Sequence, residues 1–256
     1  MENQEAKQLI SDSKNIYLIP SEGPEAIISA LALFYTLKDL GKNVNLLIDT
    51  LPENLQFLAP SLDFISYPKN FVLSIPNSVA KISQIYYEKN NDALKIHLTL
   101  ENGNIKKDNI AFYFAEVKPD LIIAVGVKDF TKEMSTKLDS FGFLLDSPIL
   151  NIDTLTGSVQ VNQKFGKINL LGNFSLTETV YDLIKPDKSP EGHFDGPATI
   201  SPKANLGGES ANCLLTGLVL YTGNFKNKVT ADVFQTASAL MKVGADLKLI
   251  TDNLKI

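Results

Sequence analysis

Residues 15–49 read NIYLIPSEGPEAIISALALFYTLKDLGKNVNLLID, and the fold follows from this stretch. Asn15 to Pro20 is a short run of apolar and β-forming residues. Ser21-Glu22-Gly23 breaks it, and Pro24 suits the first turn of a helix, where a missing N–H costs nothing. From Glu25 to Leu40, the residues Ile27, Leu31, Phe34 and Leu37 recur at helical spacing, and Gly41 stops the run. The spacing predicts a helix with one buried stripe. Val44 to Ile48 reads as a second strand ending at Asp49. Strand, helix and strand this close together make a βαβ unit, with parallel strands and a right-handed crossover.

The same alternation resumes downstream. Asp120 to Gly126 is a continuous apolar run that suits a strand covered on both faces, with Thr131 to Phe141 as its helix. Ile149 to Asp153 is the next strand, and Ser175-Leu176-Thr177-Glu178 has the spacing of a capping box. That box opens a helix through Ile184, which Pro186 ends. A loop rich in Pro and Gly (185–208) precedes three helical segments near Ser210–Leu220, Thr230–Val243 and Leu247–Leu254.

The middle of the chain has a different period. Leu94, Ile96, Leu98 and Leu100 alternate with Lys95, His97, Thr99 and Glu101, the pattern of a half-buried antiparallel strand. Lys81 to Glu88 is a second β-rich run, and Lys89-Asn90-Asn91-Asp92 supplies the turn. The expected architecture is therefore α/β: a parallel five-stranded sheet with helices on both faces, plus an inserted antiparallel β-hairpin region. One domain covers 1–256, with the β-rich insertion at 69–117. The Leu94–Leu100 face must be buried on the core or on another chain, which makes the hairpin the candidate surface for a homodimer or a paralogous partner.

Bulk properties exclude several classes. With 256 residues, 44% hydrophobic and 21% charged, the chain is long enough for a full core and unlike a disordered protein. A net charge of -5 gives no general attraction to a nucleic acid backbone or an anionic membrane. The single cysteine, Cys213, rules out an internal disulfide and sits in an apolar run as a buried thiol. The polar start lacks the pattern of a secretory signal, and the longest apolar stretches, Ala26–Tyr35 and Cys213–Tyr221, are too short to span a membrane. The expected location is cytoplasmic.

Particular residues carry a resemblance. Ala26 to Leu33 reads Ala-Ile-Ile-Ser-Ala-Leu-Ala-Leu, a Leu-Gly-Lys turn follows at Leu40 to Lys42, and Pro52-Glu53-Asn54-Leu55 comes after the second strand. Near the end stand Leu215-Thr216-Gly217, Thr222-Gly223, Phe225 and Val243-Gly244-Ala245-Asp246. In this order the segments resemble the catalytic domain of the DHH phosphoesterases, a superfamily of single-strand exonucleases, oligoribonucleases and inorganic pyrophosphatases. The resemblance implies a cleft at the carboxyl ends of the strands that holds two divalent ions, usually manganese, sharing a carboxylate and activating water between them.

Carried onto this chain, the family's first motif, His-x-Asn-Pro-Asp-x-Asp, places its histidine on Ile19 and its aspartates on Gly23 and Glu25. The third-strand aspartate falls on Gly126, the Asp-His-His signature on Asp153-Thr154-Leu155, and the late aspartate on Tyr221. Only Asp153 is unchanged, with Glu25 a longer substitute. The expected remnant cleft comprises Ile19, Ser21, Gly23, Glu25, Gly126, Asp153, Thr154, Leu155 and Tyr221. No catalytic residue, metal or other cofactor is expected; Glu25 and Asp153 are the weak metal candidates, for Mn or Mg if the chain is active. Phosphate or a nucleotide is a candidate weak ligand near Ser21, at the helix start.

The resemblance with its missing ligands implies a non-catalytic binding or assembly module; the alternatives are an active metal-dependent phosphoesterase with ligands relocated to His193, Asp195 or Glu209, and a partner subunit of a complete paralogue. His97 is expected to be solvated. Gly207-Gly208-Glu209-Ser210 reads as a helix cap or a phosphate-cradling turn. Family members carry a second, substrate-gripping domain (DHHA1-type) after a linker. This sequence stops at Ile256, about where that linker would begin, so either the sequence continues or half of the substrate site is missing.

Overall fold

The computed structural model describes residues 2–59, 61, 65, 70–115, 119–130, 133, 147–155, 164–185 and 206–256. In chain order the elements are α1 (Glu2–Asp12), β1 (Asn15–Pro20), α2 (Pro24–Asp39), β2 (Asn43–Leu46), a 3-10 turn (Glu53–Leu58), β3 (Asn70–Ser74), β4 (Ala80–Lys89) and β5 (Leu94–Gly103). A second 3-10 turn (Lys107–Asn109) is followed by β6 (Ala111–Ala115), β7 (Leu121–Val125), β8 (Ile149–Thr154) and β9 (Ile168–Gly172). Four helices close the chain: α3 (Leu176–Ile184), α4 (Gly208–Thr222), α5 (Ala231–Lys242) and α6 (Leu247–Leu254). The fold is α/β.

The chain divides into two units, residues 1–67 with 118–256, and residues 68–117. The first holds a five-stranded sheet in the order β2-β1-β7-β8-β9, with every pair parallel. Alternation along the strands separates two apolar layers. Ile16, Leu18, Leu121, Ile123, Val125, Leu150 and Ile152 join the main core with residues from all six helices. Tyr17, Ile19 and Ile122 point to the other face, where Leu47, Phe130 and Ile149 pack on them. The helix expected at Thr131–Phe141 and the loop at 185–208 fall largely or wholly outside the described residues, as does His193.

Helix α2 departs from the expected single stripe, because every residue from Ala26 to Phe34 is buried. The reason is a second layer. Helix α4, itself apolar almost all round, lies against α2 on the side away from the sheet. Small polar groups occupy the seam: Thr36 Oγ1 and Ser210 Oγ are 2.8 Å apart, and Ser210 donates to the Ala32 carbonyl. A side chain at Gly217 would meet Thr177 Oγ1 at 2.3 Å, so the missing Cβ is what lets α4 approach α3.

Besides the 3-10 turns and the strands β3 and β6 of the insertion, two elements of the first unit had no counterpart in the sequence reading, α1 and β9. Helix α1 sends Ala6 and Ile10 into the core, and β9 completes the sheet beside β8. The second unit contains two antiparallel pairs, β3 with β6 and β4 with β5. Its hairpin strands extend beyond the expected runs, and a bulge interrupts β4 near Ile82.

Candidate functional site

The site is assembled where β1, β7 and β8 end. Ser21 N–H bonds the Val125 carbonyl at 2.9 Å and Gly126 N–H bonds the Ile152 carbonyl at 2.8 Å, which stitches the three strand ends side by side. Gly126 has a φ of 70°, the left-handed region, and a Cβ there would sit 3.1 Å from Ser21 Oγ, Ala26 Cβ and Leu176 Cδ2. Ser21, Gly126 and the first turn of α2 are thus packed together. Gly23 is the N-cap of α2 and offers no side-chain cap.

Glu25 turns toward α3. Its Oε1 accepts the backbone N–H groups of Leu176, at 2.8 Å, and Thr177, at 3.3 Å. These are unpaired donors of a helix start, so the carboxylate caps a neighbouring helix and meets the positive end of its dipole. Burial raises the Glu25 carboxyl above its ordinary value, opposed by the Thr177 and Leu176 N–H groups and by Lys228. Within α3, Ser175 is the N-cap and accepts the Glu178 N–H at 3.0 Å, as the capping box predicts.

Tyr221 is near this group: Glu178 and Glu25 are close enough to raise its phenol, after burial as the main cause. The Lys228 ammonium lies 4.6 Å from the centre of the Tyr221 ring, a cation–π contact. Ile19 stands apart. It is fully buried with Tyr17 and Ile122 in the layer on the opposite face of the sheet from the main core.

Asp153 is the penultimate residue of β8, with only 1% of its surface exposed. Lys128 reaches it from the loop after β7, with Nζ at 2.5 Å from Oδ1 and 3.4 Å from the Thr154 carbonyl. Thr154 N–H donates to the same Oδ1 at 2.8 Å. Leu155 is exposed and bonds its N–H to the Gly172 carbonyl. The lysine's own backbone is fixed, since Glu133 Oε1 accepts the N–H groups of Lys128, at 2.8 Å, and Asp129, at 3.3 Å.

Lys128, Lys228 and Glu133 were not singled out in the sequence. One question would have found the first: which cation compensates a carboxylate buried at a strand end. Other expected features have structural roles here. Ser210 is consumed at the α2–α4 seam, and the thiol of fully buried Cys213 is pushed far up by burial. His97 stacks on Tyr86 with ring centres 4.5 Å apart.

The residues present do not suit a pair of divalent ions. Asp153 is engaged by an ammonium and Glu25 by a helix start, while Ile19, Gly126 and Leu155 have no side-chain donor atoms. Among the described residues no group of three or more His, Cys, Asp or Glu side chains is placed to hold a metal. No described helix is long and apolar enough to cross a membrane.

The five-stranded parallel sheet with its helices is an α/β fold, and its likeness to a solved structure supports a DHH-like fold. Among solved structures, the chain is similar to an exopolyphosphatase-related protein from Bacteroides fragilis, with 15% identity and a TM-score of 0.63 over 99% of this chain and 59% of that one. It is also matched to the exonuclease RecJ bound to manganese, with 13% identity and a TM-score of 0.40 over 95% of this chain and 47% of that one, a likeness too low to argue from. The chain thus spans between about half and three-fifths of the length of these structures. No family model and no curated protein matches at the level of sequence.

Proposed function

We propose that this chain is a non-catalytic relative of the DHH phosphoesterases, acting as a binding or assembly module. One observation carries the reading: the carboxylates at the old metal positions, Glu25 and Asp153, are both committed to protein partners. Phosphoester hydrolysis without a metal or an equivalent cation on the phosphoryl oxygens forfeits most of its transition-state stabilisation. The second unit supports the assembly half of the proposal. On β4 and β5, Ile85, Tyr87 and Leu94 are 68%, 72% and 60% exposed, and Ile96 beside them is also exposed.

The test is a calorimetric titration with Mn²⁺ alongside hydrolysis assays on the purified chain. Short oligonucleotides, cyclic dinucleotides and pyrophosphate are suitable substrates. Polyphosphate joins them because the similar Bacteroides protein is described as exopolyphosphatase-related. The expected result is no micromolar metal affinity and no metal-stimulated turnover. Tight Mn²⁺ binding with activity lost on Asp153→Ala would overturn the proposal. Turnover that survives Asp153→Ala and follows the protein through purification would place the chemistry at relocated ligands.

A further inference from the structure

We infer that Lys128 is a tethered counter-ion: its ammonium neutralises Asp153 in place of a free divalent cation, so that the cleft carries its own cation. The inference rests on the proposed loss of the metal centre and goes further, because it names what replaces the metal's charge. A carboxylate with 1% exposure has lost its water and needs partners from the protein. Lys128 Nζ and the Thr154 N–H converge on one of its oxygens, at 2.5 and 2.8 Å. The second contact of the ammonium is a carbonyl oxygen, that of Thr154. Carboxylate and carbonyl oxygens are also the ligands that hard cations prefer.

The lysine is delivered by a built turn. Gly126 takes a backbone conformation that other residues avoid, and its N–H is bound to β8 one residue before Asp153. Two residues later, the Glu133 carboxylate accepts the N–H of Lys128 itself. The carboxylate is what sets this pair apart from the Lys185–Asp182 pair: Asp153 is 1% exposed and Asp182 57%, while the two lysine side chains are alike at 44% and 47%. Charge makes the arrangement exclusive. A divalent ion on Asp153 would have to displace the ammonium or sit beside it, where like charges a few ångströms apart repel.

Removing the tail of Lys128 should leave a vacant cation site for a primary alkylammonium or a divalent metal. In Lys128→Ala the missing fragment corresponds to n-propylammonium. Thermal unfolding of the full chain provides the readout, with Mn²⁺ and n-propylammonium chloride as probes and sodium chloride matched for ionic strength. Wild type should be insensitive to both probes. Lys128→Ala should unfold roughly 5 °C lower or more, because it removes the ammonium that meets a buried carboxylate.

Either probe should then recover a measurable part of the loss, as ligand linkage requires. Adding Asp153→Asn should abolish the recovery and remove most of the penalty of Lys128→Ala. Should Lys128→Ala fail to fold, the double variant decides: restored folding supports the pair, and continued failure overturns it. An unchanged unfolding temperature in Lys128→Ala, or recovery that persists without Asp153, also overturns it. Failure of the broader reading looks different, since wild type would itself be stabilised by Mn²⁺ in an Asp153-dependent way.

Discussion

Glu25 shows how one atom's partners decide what a carboxylate beside a strand end does. With two helix N–H groups on Oε1 it is a cap. Its carboxyl titrates above 4.5, so between that value and the raised one the native chain holds more protons than the unfolded chain. This contribution makes wild-type stability fall as pH rises through that window. Glu25→Gln lacks it, and the stability of the variant relative to wild type should improve as pH climbs from 4.5 upward, measured by urea unfolding at a series of pH values. The opposite trend would contradict the assigned environment. Gly126 gives a second prediction. Aspartate there, the residue the family pattern places at this position, needs a left-handed backbone and a Cβ inside three 3.1 Å contacts. Gly126→Asp should therefore destabilise by about 2 kcal/mol without creating metal affinity, read by denaturant unfolding and a Mn²⁺ titration on the same sample.

The elements divide sharply into covered and uncovered ones. Helices α2 and α4 are buried almost all round, whereas the β4–β5 hairpin has a face without cover among the described residues. One side is internally satisfied: Lys81 pairs with Glu101 at 2.8 Å, and His97 stacks on Tyr86. The other aligns Ile85 with Leu98 and Tyr87 with Ile96 across the strands, beside Leu94 and Leu100, and Lys89 at the turn is the charged residue in that register. Side chains of this size expose on the order of 100 Å² each, so a two-fold pairing of two such faces removes roughly 1,000 Å² from water, about the lower bound for a specific interface. A second copy of the chain suits a face that is apolar apart from Lys89 at the turn. We expect a dimer by sedimentation and a monomer for the Ile85→Lys, Ile96→Lys double variant with an unchanged unfolding temperature of the parallel-sheet unit. A wild-type chain that stays monomeric across the accessible concentration range rules this mode out.

At the scale of the whole molecule, the main core cluster draws every residue from the segments 1–67 and 118–256. Strands β1 and β7 pair directly in parallel, with Ile16 to Pro20 set against Leu121 to Val125. Replacing residues 68–117 with a short Gly/Ser linker should therefore preserve cooperative unfolding and the helical far-UV signal of the first unit. Loss of folding in that deletion would mean that the insertion contributes to the core fold.

Much of this organisation was legible in residues 15–49. Pro24, the helical recurrence from Ile27 to Leu37 and the stop at Gly41 determine a strand–helix–strand unit, because steric and solvation preferences act locally and repeat with the period of each element. The Ser175 capping box was equally local, and α3 begins there. Helix α1 and strand β9 escaped because a single turn of apolar residues and a short mixed strand carry little periodic signal. The residues at the motif positions were also a matter of sequence, since a missing side-chain donor atom at Ile19 or Gly126 is a property of the residue itself. What the surviving acids do was settled only by tertiary structure. Glu25 finds α3 and Asp153 finds Lys128 because the strand order β1-β7-β8 brings distant chain segments within hydrogen-bond reach. Such pairings depend on which elements become neighbours, and the energy that selects a partner for a buried charge exists only after the surrounding water has been removed.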